Sequence, residues 1–127
     1  MKKVKLDGSN LRRAYLNNSN LSYSSLIRVN LALADLESAN LSHVNFKRAC
    51  LIEADLQKSN LEEADFQAAN LQEADLREAN LRQADFAAAD LRGALLASEY
   101  SYDVYYDNQT YFDANFNPIQ AGWKLKN

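Results

Sequence analysis

Residues 54–78 write one unit five times: Ala54-Asp55-Leu56-Gln57-Lys58, Ser59-Asn60-Leu61-Glu62-Glu63, Ala64-Asp65-Phe66-Gln67-Ala68, Ala69-Asn70-Leu71-Gln72-Glu73 and Ala74-Asp75-Leu76-Arg77-Glu78. The spacing continues outward in both directions without a gap, from Val4 to Ser98, and gives nineteen centres. Sixteen are Leu, from Leu6 to Leu96, and the other three are Phe46, Phe66 and Phe86. Two residues before each centre the side chain is small or β-branched: twelve Ala, four Ser (Ser9, Ser19, Ser24, Ser59) and three Val (Val4, Val29, Val44). Asn or Asp directly precedes fourteen of the nineteen centres, and the two residues that follow vary freely.

A period of five excludes the ordinary elements. Five residues of helix turn through about 500°, so successive centres would march around the cylinder. On a continuous strand an odd period would send them to alternate faces. One arrangement fits. The centre and the small residue two before it form a short extended piece with both side chains on one face. The Asn or Asp between them points away, and the two variable residues make a turn. Repetition bends the chain around an axis that the inward pairs fill, which makes a solenoid.

Ala54-Asp55-Leu56-Gln57-Lys58 and Ala74-Asp75-Leu76-Arg77-Glu78 match as they stand the Ala-Asp/Asn-Leu-x-x consensus of the pentapeptide-repeat family, which this chain resembles over about three quarters of its length. The resemblance implies an all-β fold, a right-handed quadrilateral parallel β-helix with four pentapeptides to a coil. It implies no common biochemical activity. The sequence carries its own sign of coils of twenty: Phe46, Phe66 and Phe86 are separated by twenty each time. Their rings are expected to stack as a structural core, about 4.8 Å apart as neighbouring strands are. Nineteen repeats at four to a coil give about four to five coils, a prism of roughly 23 Å.

Charge divides the chain. Residues 1–50 hold eight Lys/Arg against three Asp/Glu, a net of +5, and residues 51–127 hold six against fourteen, a net of −8. Lys2, Lys3, Lys5, Arg12 and Arg13 make the first coil basic, and charge at an open sheet edge resists end-to-end stacking. Cys50 is the single cysteine, so no internal disulfide forms and nothing points to an oxidising compartment. No apolar run is long enough for a membrane span, and the first residues carry no apolar signal-like stretch. A cytoplasmic protein without membrane contact is expected.

Ile27, Leu33 and Ile52, with Ala32, stand at variable positions that should face solvent, and form the candidate protein-binding patch. No catalytic, cofactor or metal set is expected. His43 and Cys50 lack a second ligand or base at matching spacing. Asp35, Asp55 and Asp75 stack at a spacing of twenty, with Lys58 and Arg77 nearby. Such carboxylates hold a cation or, as Asx residues do in turns, accept from nearby N–H groups; the second reading is preferred.

The repeat ends after Leu96, and the chain divides into a β-helix over 1–98 and a C-terminal segment over 99–127. The tail carries Tyr100, Tyr102, Tyr105, Tyr106, Tyr111, Phe112, Phe116 and Trp123, eight of the chain's thirteen aromatic residues. An open last coil would expose large centres, each worth ~2 kcal/mol when buried. An aromatic cap is therefore expected, with turns at Asn117-Pro118 and Ala121-Gly122. Tyr106-Asp107-Asn108-Gln109-Thr110, Phe116-Asn117-Pro118 and Ala121-Gly122 resemble the tails of many cyanobacterial pentapeptide-repeat proteins. Asp113-Ala114-Asn115 stands where those often carry a Pro-Glu-Gly-like turn.

An interior filled by Ala, Ser, Val, Leu and Phe leaves no room for a substrate, so an enzyme is not expected. The favoured reading is a structural or protein-interaction scaffold with an unidentified protein partner, a monomer or weak homo-oligomer. The resemblance supplies the alternative, a DNA-mimicking modulator of a type II topoisomerase. Glu53, Asp55, Glu62, Glu63, Asp65, Glu73, Asp75 and Glu78, against Lys58 and Arg77, are the acidic rod that this needs. A short prism, a basic first half and the lack of a helical dimerisation segment count against it. Direct nucleic-acid binding is disfavoured by the net charge of −3.

Overall fold

The computed structural model describes residues 3–96 and 101–127. Parallel bridges join residues twenty apart throughout the repeat: Asn30 to Cys50, Asp35 to Asp55, Asn40 to Asn60 and Asn45 to Asp65, and so on to Asp75 with Leu95. Each twenty-residue rung therefore has four sides and four corners. The extended pieces have shrunk to single bridged residues, because a turn interrupts the chain every fifth position. Among the described residues conventional strand appears only in the tail, as β1 (Tyr105–Tyr106) and β2 (Lys124–Leu125), which pair in parallel.

The repeat satisfies its backbone donors in a fixed way. The N–H of Leu36 donates to the Asp55 carbonyl one rung on at 2.8 Å, and the N–H of Asp55 donates back to the Ala34 carbonyl at 3.0 Å. Across the corner, the N–H of Leu33 donates to the Ile52 carbonyl at 2.9 Å. Within the turn, the N–H of Ala34 donates to the Leu31 carbonyl at 3.1 Å. Four of the five donors thus meet carbonyls. The fifth belongs to the first turn residue, and the preceding Asn or Asp accepts it.

Each turn places its second variable residue in the left-handed region. φ is 63° at Arg13, 61° at Leu33, 59° at Ala68 and 61° at Gln83, with Gly8 at 70° and Gly93 at 76° in the same slot. Positive φ at this position alone is the pattern of a type II turn. Side chains are tolerated there, but no Val, Ile or Thr occupies the slot in any repeat, whereas Ile27 and Ile52 hold the preceding one. The steric reason is that branching at Cβ crowds the backbone further in a conformation already disfavoured for L-residues.

The centres fill the axis. Leu21 to Leu91 and the Ala, Ser and Val partners between them are buried, and Phe46, Phe66 and Phe86 are fully so. Phe46 and Phe66 stack at 5.0 Å between centroids, and Phe66 and Phe86 at 4.8 Å with planes 2° apart. The first rung differs, because nothing among the described residues lies below it, and Leu6, Leu11 and Leu16 stay half-buried.

At the other end the tail returns over the axis. Trp123 continues the Phe column, stacked on Phe86 at 5.4 Å, and Phe112 and Phe116 meet its edge. One extra residue enters here: Asp85 bridges Tyr105 twenty on, but Asp90 bridges Tyr111 twenty-one on. Thr110 takes up the insertion by donating from its hydroxyl to the Phe86 carbonyl at 3.0 Å. The turn at 118–122 closes through the Trp123 N–H on the Pro118 carbonyl at 2.9 Å. Tyr102 and Tyr111 remain exposed, so the tail aromatics divide between axis and surface. The boundary expected between 98 and 99, with Ser98, Glu99 and Tyr100, lies outside the described residues, as does Lys2.

The left-handed slot yields a position-specific expectation. Ala68→Val should destabilise the protein by about 1 kcal/mol. Gln67→Val, one position earlier, should leave the melting temperature nearly unchanged. Thermal denaturation of the two variants beside the parent checks this, and equal effects would contradict it.

Candidate functional site

No described residues assemble a catalytic constellation, so the candidate site is the outer surface of the ladder. The turn chemistry decides which side chains remain free for it. All fourteen Asn and Asp residues before a centre accept, through Oδ1, the backbone N–H two residues on, at 3.0–3.2 Å. These side chains are thereby committed to structure. Asp35, Asp55 and Asp75 are among them, bonded to the N–H groups of Glu37, Gln57 and Arg77.

Arg77 also grips both oxygens of Asp75, at 2.9 and 2.7 Å, and these hydrogen bonds hold the carboxyl below its ordinary range. Arg92 does the same to Asp90, at 2.9 and 2.6 Å. Lys58, expected to neutralise the same column, makes no ion pair among the described residues. Oxygens of Asp35, Glu37 and Asp55 lie within 4.8 Å of one another.

Leu33 and Ile52 share one corner in successive rungs, joined by their backbone hydrogen bond. Leu33 is 37% exposed and Ile52 half-buried. Ile27 lies one corner earlier, with the side that carries Asn30 and Cys50 between, so the three residues flank a side rather than cluster at one point. Ile27 follows Ser25, which cannot serve as the Asx acceptor, and its N–H is taken instead by Asp7 Oδ1 at 2.9 Å from the rung below. Cys50 stands in the Asx slot before Ile52, and the Ile52 N–H finds no acceptor among the described residues.

His43 is held on the surface. Its ring stacks on Tyr23 at 4.4 Å with planes 5° apart, and its Nδ1 lies 3.0 Å from Glu63 Oε2. Read as a lone ligand, His43 does not reveal the Tyr23–His43–Glu63 column, although the spacing of twenty is present in the sequence. A cleft of about 340 Å³ lies beside the tail, lined by Leu91, Ala94, Leu96, Asp113, Asn115 and Phe116. These described lining residues include one carboxylate and no nucleophile or base to work with it.

The family described as Pentapeptide repeats matches in eight copies over residues 1–32, 24–57 and 59–96. The chain belongs to the pentapeptide-repeat family. Among solved pentapeptide-repeat structures it is similar to HetL, involved in heterocyst differentiation regulation in the cyanobacterium Nostoc sp. strain PCC 7120. The identity is 24% and the TM-score 0.60, over 87% of this chain and 61% of HetL, so the chain spans less than two thirds of that protein. It is also similar to the pentapeptide-repeat protein Rfr23 from the cyanobacterium Cyanothece 51142, at 30% identity and a TM-score of 0.51, over 88% of this chain and 86% of Rfr23. No functionally curated protein matches the chain. Among the described residues no helix is long and apolar enough to cross a membrane.

The vacant acceptor at Cys50 gives a stability test. Cys50→Asn should supply the missing bond to the Ile52 N–H and stabilise the protein by about 1 kcal/mol. Cys50→Ala, which supplies none, should not. Melting temperatures of the pair decide it, and a gain for Ala as large as for Asn would remove the Asx explanation.

Proposed function

We propose that the protein is a non-enzymatic scaffold that presents one side of a right-handed quadrilateral β-helix, four to five coils long, to a protein partner. In this reading residues 1–98 form the β-helix and 99–127 cap it, the setting is cytoplasmic, and the protein is a monomer or weak homo-oligomer. The observation that carries the proposal is the ladder itself. Nearly all backbone donors and the inward side chains are used in building it, so what is left to select a partner is chiefly the pair of variable residues at each corner. Most corners carry polar residues. The side between Ile27 and the Leu33–Ile52 corner breaks that pattern, and apolar surface set in a polar surround suits protein contact.

Its test uses variants that leave the axis intact. Leu33→Lys with Ile52→Lys should fold with an unchanged melting temperature and should lose a partner that the parent retains in parallel captures from cells of the source organism. An identical set of captured proteins from both would exclude this side as the binding surface.

The alternative reading, mimicry of DNA toward a type II topoisomerase, draws on the acids of residues 53–78. Here the ion pairs weigh against it. Glu62 pairs with Arg82 at 3.3 Å, Asp65 with Lys47 at 3.5 Å and Asp75 with Arg77 at 2.7 Å, while Glu63 Oε2 lies 3.0 Å from the His43 ring nitrogen. Glu53, Asp55, Glu73 and Glu78 have no such partner among the described residues. If the mimic reading holds, the protein inhibits gyrase supercoiling at micromolar concentration, less as salt rises, and Glu53→Lys with Glu73→Lys and Glu78→Lys loses that inhibition. We expect no inhibition at low salt.

A further inference from the structure

Two opposed charge clusters occupy the same pair of rungs. Arg28 and Arg48 fill the left-handed slot of one corner in successive rungs, with φ of 58° and 59°, and Lys47 sits beside them. The Arg28 N–H donates to the Lys47 carbonyl at 2.9 Å, which fixes the three as one exposed group. Neither guanidinium has a carboxylate within ion-pair distance among the described residues, while Lys47 reaches Asp65 at 3.5 Å. Half a rung away, diagonally across the prism, are Asp35, Glu37 and Asp55. Their oxygens crowd within 4.8 Å of one another, and none of the three has an ion pair among the described residues.

We propose that the Arg28–Lys47–Arg48 corner of one copy docks on the Asp35–Glu37–Asp55 corner of a second copy lying beside it with the same axial direction. Pitch is the first argument. Both clusters repeat at the rise of one rung, about 4.8 Å, so guanidiniums and carboxylates meet one for one without distortion. Level is the second. Arg28 shares a rung with Asp35 and Glu37, and Arg48 shares the next with Asp55, so copies in the same direction align with an axial shift of only about half a rung. Chemistry is the third: a planar guanidinium donates to two carboxylate oxygens at once, and Asp35 and Asp55 have their Oδ1 atoms tied to the turns while the second oxygen of each makes no hydrogen bond among the described residues.

Donor and acceptor corners lie on opposite sides of one molecule, so the contact is heterologous and does not close. It builds rows. Lys58 stands on the acidic corner beside Asp55, free of any ion pair among the described residues, and limits how strongly the rows form. The docking corner also carries Ile27 and so borders the partner-binding side proposed above, but the association does not rest on that reading.

Sedimentation velocity over a concentration series tests it on the full chain. At an ionic strength of about 0.01 M, where charges act over about 30 Å, the average mass should rise with concentration, and at about 1 M, where the range is about 3 Å, the protein should be monomeric. Arg28→Gln with Arg48→Gln should be monomeric in both. Asp35→Asn with Glu37→Gln and Asp55→Asn should be monomeric too, with turns intact because Asn accepts the same N–H. The decisive arm mixes these two variants, which retain one working corner each and should form a 1:1 dimer and nothing larger. Lys58→Glu should lower the concentration at which rows appear. A parent that stays monomeric at low salt overturns the proposal, as do variants that associate like the parent, or a mixture that stays monomeric.

Discussion

In the described repeats the first turn residue carries a backbone N–H that no carbonyl of the ladder reaches, and the structure depends on who accepts it. In fourteen repeats the acceptor is the Asn or Asp two residues earlier. An amide that points at a tight corner without a partner costs about 1–3 kcal/mol when buried, and the cost would recur at every corner. The Asx side chain removes it locally, within one repeat, before any contact between rungs is made. Propagation of the solenoid then needs only small residues and Leu or Phe to fill the axis.

The exceptions show the same constraint from the other side. Ser25 is too short to accept for Ile27, and Asp7 from the rung below does so, bonded also to the Ser25 hydroxyl at 2.6 Å. Cys50 has no such neighbour. Where the ladder changes length near Thr110, Asp107 accepts from the N–H groups of Ala88 and Gln109. At both of these places a carboxylate from a neighbouring rung stands in for the missing local acceptor.

Much of the axis was legible in the sequence because period and packing coincide there. Phe46, Phe66 and Phe86 are spaced at one rung, and only a twenty-residue circuit can bring their rings face to face. The Asx role was legible as a turn preference, though the sequence alone left cation binding by Asp35, Asp55 and Asp75 as an alternative. Other features were not readable, for physical reasons. Exposed side chains answer to neighbours one rung away, so the His43 stack and the Glu62–Arg82 pair emerge only once the columns are aligned. Ile27 and Leu33 are six residues apart yet lie on different corners, which linear proximity hides. The tail has no period, and only its tertiary contacts show Trp123 over Phe86 while Tyr111 turns outward, 5.0 Å from the Arg92 guanidinium.

The bonds between rungs run along the prism axis, four sides at a time, while within a rung the chain is joined only by its turns. Force applied at one end of such a prism would not load the molecule evenly. It would concentrate on the outermost rung, whose twenty residues would peel away as a length of about 65–70 Å of extended chain before the next rung felt the load. Among the described residues the half-buried Leu6, Leu11 and Leu16 make the first rung the less firmly held end. The Phe column closed by Trp123 anchors the other. Under tension the protein would therefore behave as a directional ratchet of equal steps, paid out from the basic end toward the aromatic one.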